Sequence, residues 1–582
     1  MAEKTVNIKI NGVPYTVPDG ITIIEAARSV GINIPTLCYL KEINEIGACR
    51  ICVVEVKGQK NLVASCVYPV SEGMEITTNS ERVFASRKHN LQLILSTHDN
   101  RCLACVQNGH CELQQICKDF GVDDVNLFDG EINEYEIDDS AKHMYRDNNK
   151  CILCRRCVAA CSKWQGVSVI GPNERGFNTH IGCAFDQDLG DVACVGCGQC
   201  IVVCPTGAIS EKDHTKMVWD AINDPEKHVV VQTAPSIRVT LGEAFDMPIG
   251  TNVEGKMVAA LRRLGFDRVF DTDLAADMTI MEEATEFIER VRNHGTLPMI
   301  TSCSPGWVKY CEHNYPEFIQ NLSSCKSPQQ MFGAITKTWY AEKNGIDPKD
   351  IYVVGVMPCT AKKFEIGREN QSASGYPDVD AVLTTRELSH MIKRAGIDFA
   401  NLPNEEFDNP LGTSSGAGTI FGVTGGVMEA ALRTAAELLT GKTVENIDFM
   451  EVRGNENIKE ATYKIGNIDV NVAVCSGLAN AKKVLEMVKS GEKNYHFIEI
   501  MACPGGCING GGQPVQPSAV RNFVDLKSLR GMALYSEDMR KQIRKSHDNP
   551  MVQELYSTYF GSPGSHKAHD VLHTGYVPRS KF

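Results

Sequence analysis

The stretch 151-CILCRRCVAAC-161 recurs as 194-CVGCGQCIVVCP-205, and both copies have the spacing C-x2-C-x2-C-x3-C. Eight cysteines do not match two copies of this pattern by chance. In paired runs of this kind the first three thiolates of each run bind one [4Fe–4S] cluster, and the fourth ligates the cluster of the other run. The predicted ligands are Cys151, Cys154, Cys157 and Cys204 for one cluster, and Cys161, Cys194, Cys197 and Cys200 for the other.

Cysteine is abundant along the whole chain, with 24 in 582 residues. The N-terminus has no apolar signal-peptide core and no twin arginine, which predicts a cytoplasmic protein with reduced thiols. Metal ligation therefore explains the cysteines better than disulfides do. The formal net charge of −13 argues against nucleic acid as a partner. No apolar stretch is long enough for membrane insertion.

Residues 1–80 have the order of elements expected of a small β-rich domain. Apolar and polar residues alternate on both sides of Asn11-Gly12, which is typical of a hairpin, and 20-GITIIEAARSVGI-32 has the spacing of an amphipathic helix. A cysteine-bearing loop follows, which predicts a β-grasp ferredoxin domain with a [2Fe–2S] cluster. Its predicted ligands are Cys38, Cys49, Cys52 and Cys66, at intervals that differ from the common plant-type spacing.

Residues 81–121 carry another ligand pattern, His98-x3-Cys102-x2-Cys105-x5-Cys111. A single histidine is usually a surface or core residue, but this one lies one turn from a CxxC pair, which favours ligation. One imidazole and three thiolates suit either a zinc ion or a [4Fe–4S] cluster, and the spacing does not separate the two. The cluster-binding patterns on both sides favour iron–sulfur.

Strands alternate with helices after residue 222, which predicts α/β lobes with mostly parallel sheets. Three predicted strands end just before Cys303, Cys359 and Cys503. Sites in such lobes form at the carboxyl ends of strands. The glycine-rich stretch 508-INGGGQP-514 would let the backbone approach a bulky cofactor closely. One more cluster site is therefore predicted here.

The segments at these strand ends closely resemble the active-site signatures of the [FeFe]-hydrogenases. They are 301-TSCSPGW-307, 357-MPCTAKKFE-365 and 499-EIMACPGGC-507. The resemblance covers essentially the whole chain and implies a multidomain α+β and α/β fold. Its parts would be a β-grasp ferredoxin domain (1–80), a His/Cys3 domain (81–121), a double-cluster ferredoxin domain (140–218) and a two-lobed catalytic domain (222–582). The end of the last part, from about residue 525, resembles the separate small subunit of some relatives.

The resemblance implies a hydrogenase that interconverts protons and molecular hydrogen at an H-cluster. This cofactor is a [4Fe–4S] cube joined through a cysteine sulfur to a di-iron unit with carbonyl, cyanide and dithiolate ligands. Cys359 and Cys503 would ligate the cube, Cys507 would bridge the two units, and Lys362 would donate a hydrogen bond to a cyanide. The residues expected to line the pocket are Ala234, Pro235, Ser236, Gln329, Met357 and Met501.

The same resemblance implies a proton route from the surface through Glu286, Ser323 and Glu283 to Cys303. One departure bears on it, because the family has two adjacent cysteines where this chain has Cys303 and Ser304. Either Cys303 ligates the cube, which is chemically easier because thiolates bind such clusters better than alkoxides, or Ser304 or an external ligand completes it. The strict alignment of Cys303-Ser304 with the two adjacent cysteines of the family favours the second option.

The partners and the alternatives follow from the same comparison. Electrons would pass through the accessory clusters to ferredoxin, or to a flavin subunit that binds NAD(P), as in an electron-bifurcating hetero-oligomer. Maturation proteins would install the di-iron unit. One alternative is the iron–sulfur subunit of an NADH dehydrogenase, which resembles residues 1–215 but lacks the three signatures. A non-catalytic iron–sulfur protein and a hydrogen sensor are further alternatives. The remaining cysteines are predicted to be small buried residues: Cys117, Cys183, Cys311, Cys325 and Cys475.

Overall fold

The computed structural model of the chain describes residues 4–128, 130–466 and 468–581. No helix within these ranges is both long enough and apolar enough to cross a membrane. Short cluster-binding units occupy the N-terminal third, and two larger α/β sheets with their helices occupy the rest.

The first unit is a five-stranded sheet with one helix across it. Its elements are β1 (Thr5–Ile10), β2 (Val13–Pro18), α1 (Ile23–Ser29), β3 (Val53–Val56), β4 (Val63–Ala64) and β5 (Glu75–Thr77). The predicted hairpin is confirmed, because β1 and β2 pair antiparallel through Asn11 and Gly12, which have φ values of 53° and 83°. The predicted helix is also confirmed: Thr22 and Glu25 cap α1 reciprocally. The strand order is β2-β1-β5-β3-β4.

Two further cluster-binding units are built mostly from loops and short elements. They contain α2 (Glu81–Leu95), α3 (Glu112–Asp119), β6 (Met144–Arg146), α4 (Arg156–Ala159), β7 (Gly171–Asn173), β8 (His180–Gly182), α5 (Gln199–Val202) and β9 (Ile209–Glu211). The short helices α4 and α5 occupy equivalent places in the two cysteine runs, and both follow a left-handed residue, Arg155 or Gly198. This turn lets the chain wrap around a site before the helix begins.

Two four-stranded sheets form the framework of the region after residue 222. Their strands are β10 (His228–Thr233), β11 (Arg268–Asp271), β12 (Met299–Ile300), β13 (Ile351–Met357), β14 (Ala381–Thr384), β15 (Ile458–Ile465), β16 (Ile468–Ser476) and β17 (Phe497–Met501). The first sheet has the order β11-β10-β13-β14 and is entirely parallel. The second has the order β12-β17-β16-β15, and only its β15–β16 pair is antiparallel. The prediction of mostly parallel sheets is confirmed.

Helices cover the faces of both sheets. They are α6 (Thr215–Ile222), α7 (Glu254–Leu264), α8 (Asp273–Arg292), α9 (Pro305–Asn314), α10 (Pro328–Ile335), α11 (Ala341–Asn344), α12 (Ala361–Glu365), α13 (Thr385–Arg394), α14 (Gly416–Thr419), α15 (Gly426–Thr440), α16 (Leu478–Lys489), α17 (Ser518–Arg521), α18 (Leu526–Arg540), α19 (Pro550–Leu555) and α20 (His566–Leu572). Helix α8 begins at Asp273. Its first half is buried on all sides, so this half has no amphipathic period to detect.

The C-terminal helices are part of the catalytic region. Helix α19 packs against α8, and α20 packs against α10. Directly after α19, the Tyr556 hydroxyl donates a 2.6 Å hydrogen bond to Glu282 of α8. The C-terminal segment therefore braces the helix that carries the predicted proton-route carboxylates.

Candidate functional site

The carboxyl ends of β13 and β17 face one cavity. The predicted site residues that line it are Ala234, Pro235, Cys303, Ser304, Gln329, Met357, Cys359, Lys362, Met501, Cys503 and Cys507. Ser236 is not among them: it lies behind the wall, where its hydroxyl accepts a 3.2 Å hydrogen bond from the Gln513 amide. The three signatures are thus brought to one place from distant parts of the chain.

The thiols in this cavity fit a cluster of several metal atoms. Cys359 follows β13, and its side chain contacts that of Cys503, which follows β17. Cys507 lies across the glycine turn 505–506 from Cys503 and lines the same cavity. Cys503 is buried, and Cys359 and Cys507 are half-buried, in an otherwise largely apolar wall. Such a donor set suits iron–sulfur ligation.

Glycines bring the backbone close to this cavity. A Cβ atom on Gly506 would lie 2.7 Å from the Thr424 nitrogen, and one on Gly510 would lie 2.2 Å from the Pro358 oxygen. A Cβ on Gly511 would lie 2.2 Å from the Cys197 oxygen, which belongs to the second ferredoxin-type run. The wall of the cavity therefore touches an accessory cluster site without any intervening side chain.

Among the described residues, Lys362 supplies the one ammonium group in the lining of this cavity. Its Nζ donates hydrogen bonds to the Ser327 hydroxyl at 2.8 Å, to Glu365 Oε2 at 2.8 Å and to the Cys303 carbonyl at 3.2 Å. Gln329 also donates to Glu365, at 3.2 Å, while its own Oε1 is buried without a hydrogen-bond partner among the described residues. The ammonium presents positive charge, and the free amide oxygen presents an acceptor, to a bound polar group.

Cys303 and Ser304 have different surroundings although they are adjacent. The Ser304 hydroxyl accepts a 3.3 Å hydrogen bond from the backbone nitrogen of Ala502, the residue before Cys503. The Cys303 side chain is half-buried, and desolvation, followed by repulsion from Glu283, raises the pKa of its thiol well above the ordinary value. Cys303 therefore lies on the side of Glu283, and Ser304 on the side of Cys503.

The predicted proton-route residues form a line on one side of the cavity. Ser323 donates a 3.0 Å hydrogen bond to Glu286 Oε2, and Arg290 donates a 2.5 Å hydrogen bond to Glu286 Oε1. Neither carboxylate oxygen of Glu283 meets hydrogen-bond geometry with a described residue, although the Ser323 hydroxyl lies near enough to lower its pKa in part. Burial and then repulsion by Glu286 dominate and raise the pKa of Glu283 to about 8. This carboxyl group is therefore protonated at neutral pH.

The ferredoxin-type runs form two separate sites with crossed ligand sets. One cavity is lined by Cys151, Cys154, Cys157 and Cys204. The other is lined by Cys161, Cys194, Cys197 and Cys200. In each case the fourth thiol comes from the opposite run, which is the arrangement that the spacing predicts.

The N-terminal thiols are also gathered. The Cys38 side chain contacts those of Cys49 and Cys66, and the Cys52 side chain contacts that of Cys66. In the next unit burial raises the pKa of the Cys111 thiol, and repulsion from nearby Cys105 adds to this effect. Burial likewise raises the pKa of the Cys117 thiol, with added repulsion from Cys111 and Cys102. The Nδ1 atom of His98 is buried and has no hydrogen-bond partner among the described residues, as a free ligand nitrogen would be.

The sequence analysis missed several contacts of the functional site, and only one of them has a local sequence signal. Glu365 follows Lys362 by one helical turn, so its spacing could have suggested the ion pair. Ser327 and the C-terminal His573, which lies 3.0 Å from Glu282, carry no such local signal. Of the cysteines predicted to be small buried residues, Cys117 is only half-buried, and the others are buried: Cys183, Cys311, Cys325 and Cys475.

Family models match nearly the whole chain in the order of its units. They are described as 2Fe-2S iron-sulfur cluster binding domain (3–81), NADH-ubiquinone oxidoreductase-G iron-sulfur binding region (87–126), 4Fe-4S dicluster domain (150–208), iron only hydrogenase large subunit, C-terminal domain (227–511), and iron hydrogenase small subunit (524–579). The third and fourth of these contain the crossed cysteine runs and the three signatures.

Similar proteins match over the full length or over the catalytic region. The NADP-reducing hydrogenase subunit HndD of Solidesulfovibrio fructosivorans is 49% identical over 99% of this chain and 99% of that protein. Iron hydrogenase 1 of Clostridium pasteurianum is 45% identical over 98% of this chain and 99% of that protein. A solved structure of the [FeFe]-hydrogenase HydA1 from Chlamydomonas reinhardtii is 42% identical, with a TM-score of 0.57, and covers 63% of this chain and 100% of that one. The chain therefore belongs to the iron-only, or [FeFe], hydrogenases and is an oxidoreductase that acts on hydrogen.

Proposed function

We propose that this chain catalyses 2H⁺ + 2e⁻ ⇌ H₂ at an H-cluster in the cavity of the three signatures. The observation that carries the proposal is the convergence of Cys359, Cys503 and Cys507 on one cavity that Lys362 also lines. When bound, the H-cluster supplies the redox-active metal site at which protons and electrons combine. The protein supplies the ligands, the dry cavity and the routes for protons and electrons.

Cys359 and Cys503 are the proposed cube ligands, and Cys507 is the proposed bridge to the di-iron unit. For the remaining cube position we favour the hydroxyl side chain of Ser304, or an external ligand beside it. Ser304 accepts a hydrogen bond from the backbone nitrogen of Ala502, the residue before Cys503, whereas Cys303 lies toward Glu283. A thiol that retains its proton suits the inner end of a proton route.

The proposed proton route starts at Glu286, which is partly exposed, and passes through Ser323 and Glu283 to Cys303. Ser323 already donates to Glu286, and its hydroxyl can rotate toward Glu283. Because Glu283 has a raised pKa, its carboxyl group can hold a proton that it then passes inward. Lys362 donates a hydrogen bond to the Cys303 carbonyl and presents its positive charge to an anionic ligand in the cavity.

The proposed electron carriers are one [2Fe–2S] and three [4Fe–4S] clusters, in units that span 1–80, 81–121 and 140–218. For the unit with His98 we favour [4Fe–4S] over zinc. Thiolates about 2.3 Å from one zinc ion lie within about 4.6 Å of one another. In this unit, as far as the structure describes it, no three ligand atoms lie within 4.8 Å of one another, so they are spaced too widely for a single zinc ion. The contact of Gly511 with Cys197 supports the cluster of Cys161, Cys194, Cys197 and Cys200 as the last carrier before the active site.

The proposed electron partner is a separate flavin subunit that binds NAD(P), with ferredoxin as a second partner in an electron-bifurcating complex. The similarity to a protein named as a subunit of an NADP-reducing hydrogenase supports this proposal. Native mass spectrometry and size-exclusion chromatography of the enzyme from its own cells would identify co-purifying subunits. An active monomer served by ferredoxin alone would contradict the complex and leave the hydrogenase reaction in place.

Infrared spectroscopy tests the central proposal. After anaerobic purification with proven maturation proteins, the chain should show sharp carbonyl and cyanide bands that shift under hydrogen. Cys507→Ala, which removes the proposed bridge, should lose these bands and retain the accessory clusters. Matured wild-type protein with an intact cube and no such bands would make the chain an electron carrier rather than a hydrogenase.

A further inference from the structure

A second cavity, separate from the cluster sites, lies where three parts of the chain meet. Its lining includes Leu40 of the first unit, Trp164 of the double-cluster domain and residues 521–527 of the catalytic region. Among the described residues that line it there is no cysteine and no histidine. This cavity therefore does not suit a further iron–sulfur cluster, and the charges around it indicate what it could bind.

Arg521 brings an uncompensated positive charge to this cavity. Its Nε atom is buried without a hydrogen-bond partner among the described residues, and the rest of its guanidinium forms no hydrogen bond or ion pair with them. Desolvation, followed by repulsion from Arg530, lowers the pKa of Arg521 to about 10, so the group is still charged at neutral pH. A desolvated charge without a partner is costly. An anion in the cavity would remove this cost.

The other arginines whose charges act on Arg521 each have a carboxylate of their own. The pairs, with nitrogen–oxygen distances of 2.9, 2.7 and 2.6 Å, are Arg156–Glu112, Arg386–Glu211 and Arg530–Glu243. Glu112, which also attracts Arg521 from a distance, accepts a further 2.5 Å hydrogen bond from the Ser518 hydroxyl. These carboxylates are therefore already engaged, and Arg521 differs from its neighbours in having none.

Lys527 gives the same cavity a second unpaired cation. Its ammonium makes no hydrogen bond or ion pair within the part of the chain that the structure describes. Its stem lies against Gly505, where an added Cβ would be 3.0 Å from Lys527 Cδ. A guanidinium fork together with an ammonium is a donor set with which proteins bind phosphate-type oxyanions.

The acidic residues of the lining do not cancel this charge. The described side chains that carry charge there are four basic and two acidic ones: Lys41, Arg521, Lys527, Arg530, Glu42 and Asp525. Asp525 is engaged at the start of α18, where it accepts hydrogen bonds from the Ser528 nitrogen at 3.1 Å and hydroxyl at 2.6 Å. Glu42 is exposed to solvent. The enclosed part of the cavity is therefore positive.

We propose that this cavity binds one phosphate-type oxyanion, held by the guanidinium of Arg521 and the ammonium of Lys527. Binding is non-covalent and transfers no electron, so the site does not depend on the proposed hydrogenase reaction. The segment that holds the anion also contacts the first unit, because Asn522 Oδ1 accepts a 3.1 Å hydrogen bond from the Lys41 nitrogen. The bound anion would therefore stabilise the junction between the first unit and the catalytic region.

Anaerobic titration calorimetry of the holoenzyme with inorganic phosphate, in phosphate-free buffer of constant ionic strength, tests the site directly. We expect one saturable site per chain. Arg521→Gln removes a charged bidentate donor and should weaken binding by about tenfold or more, and Lys527→Gln should weaken it to a smaller extent. Arg175→Gln, which removes an exposed arginine of the double-cluster domain, is the matched control and should bind phosphate like the wild type.

Thermal unfolding separates anion binding from a structural role of Arg521. Without phosphate, Arg521→Gln should melt no lower than the wild type, because it removes an unpaired charge. With phosphate, the melting temperature of the wild type should rise and that of Arg521→Gln should not. A variant that melts lower in phosphate-free buffer would show that Arg521 supports the fold instead and would overturn the site.

Adenosine monophosphate, which carries the same group on a nucleoside, identifies the source of the anion. Binding that Arg521→Gln weakens would support the site and point to a nucleotide, whereas binding of phosphate alone would support the site and point to a free oxyanion. Wild-type protein that binds neither in a saturable way, or Arg521→Gln protein that binds phosphate as tightly as the wild type, would overturn the proposal.

Discussion

The Lys362 ammonium donates a 2.8 Å hydrogen bond to the Glu365 carboxylate, one helical turn away in the wall of the catalytic cavity. Both side chains are at least nine-tenths buried. Ser327 and Gln329 also donate to this carboxylate, so its charge is compensated by three donors. The lysine therefore has two functions, because it neutralises a buried carboxylate and presents charge to the cavity.

Replacing Lys362 with Met should separate these functions. The lost charge should lower hydrogen evolution by about 10² or more, and the unpaired Glu365 should destabilise the fold by about 3 kcal/mol. The double variant Lys362→Met/Glu365→Gln should recover most of the thermal stability and none of the activity. Assays with a chemical reductant and calorimetry measure the two effects. Recovery of activity in the double variant would contradict a direct role of the ammonium.

Glu283→Gln should slow turnover while the electron carriers remain intact. The amide cannot release a proton, so hydrogen evolution should fall by about 10²–10⁴. The visible and electron paramagnetic resonance spectra of the accessory clusters should not change. Glu289→Gln, on the same helix α8, is the control, and it should retain activity. A Glu283→Gln enzyme with the wild-type rate would rule out the proposed route.

The pKa of Glu283 predicts a definite pH dependence. In the folded chain this pKa is about 8, against an ordinary value of 4.5, so between these values the folded state holds a proton that the unfolded state has lost. Stability from this group is complete at low pH and is lost as the pH rises from 4.5 through about 8. The Glu283→Gln variant has no carboxyl group at this position and does not lose stability in this way. The melting temperature of the variant minus that of the wild type should therefore increase as the pH rises from 4.5 to about 8, and a decrease would contradict the assignment.

Cys303→Ala and Ser304→Ala should affect different properties. If Cys303 ends the proton route, its alanine variant keeps the cube and loses hydrogen evolution by about 10² or more. If Ser304 lies at the cube, its alanine variant should alter the paramagnetic resonance of the reduced cube. Protein with only the catalytic cube, prepared without maturation, allows the second measurement. Loss of the cube in Cys303→Ala would identify Cys303 as its ligand.

The crossed cavities predict which cluster each fourth cysteine supports. Cys204→Ala should disturb the cluster of Cys151, Cys154 and Cys157, while Cys161→Ala should disturb the one nearer to Gly511. Only Cys161→Ala should therefore slow electron delivery to the active site at the final step. Flash reduction followed by optical detection distinguishes the two variants. The reverse assignment of effects would show uncrossed ligation.

Gly511→Ala should disrupt the contact between the last carrier and the active site. The new Cβ would meet the Cys197 oxygen at 2.2 Å, and neither backbone can yield freely. We expect a destabilisation of about 1–3 kcal/mol and slower intramolecular electron transfer. Gly171→Ala, where no atom lies within 4 Å of the added Cβ, is the control and should match the wild type.

Local spacing predicts the cluster ligands well because a cluster constrains residues that are close in sequence. The two ferredoxin-type runs and the hairpin at Asn11-Gly12 are of this kind. The start of α8 at Asp273 was not predictable, because a helix buried on all sides has no hydrophobic period. The pair of Glu282 and His573 spans most of the catalytic region, and no local rule connects such distant residues.

The crossing of Cys161 and Cys204 between the two runs makes the double-cluster unit indivisible. A chain that kept only one run would have three thiolates and an open metal position, which invites oxidation and loss of iron. We therefore expect the two sites to be lost together in any attempt to shorten this chain by design. A truncation that respects this unit must end before residue 140 or resume after residue 218.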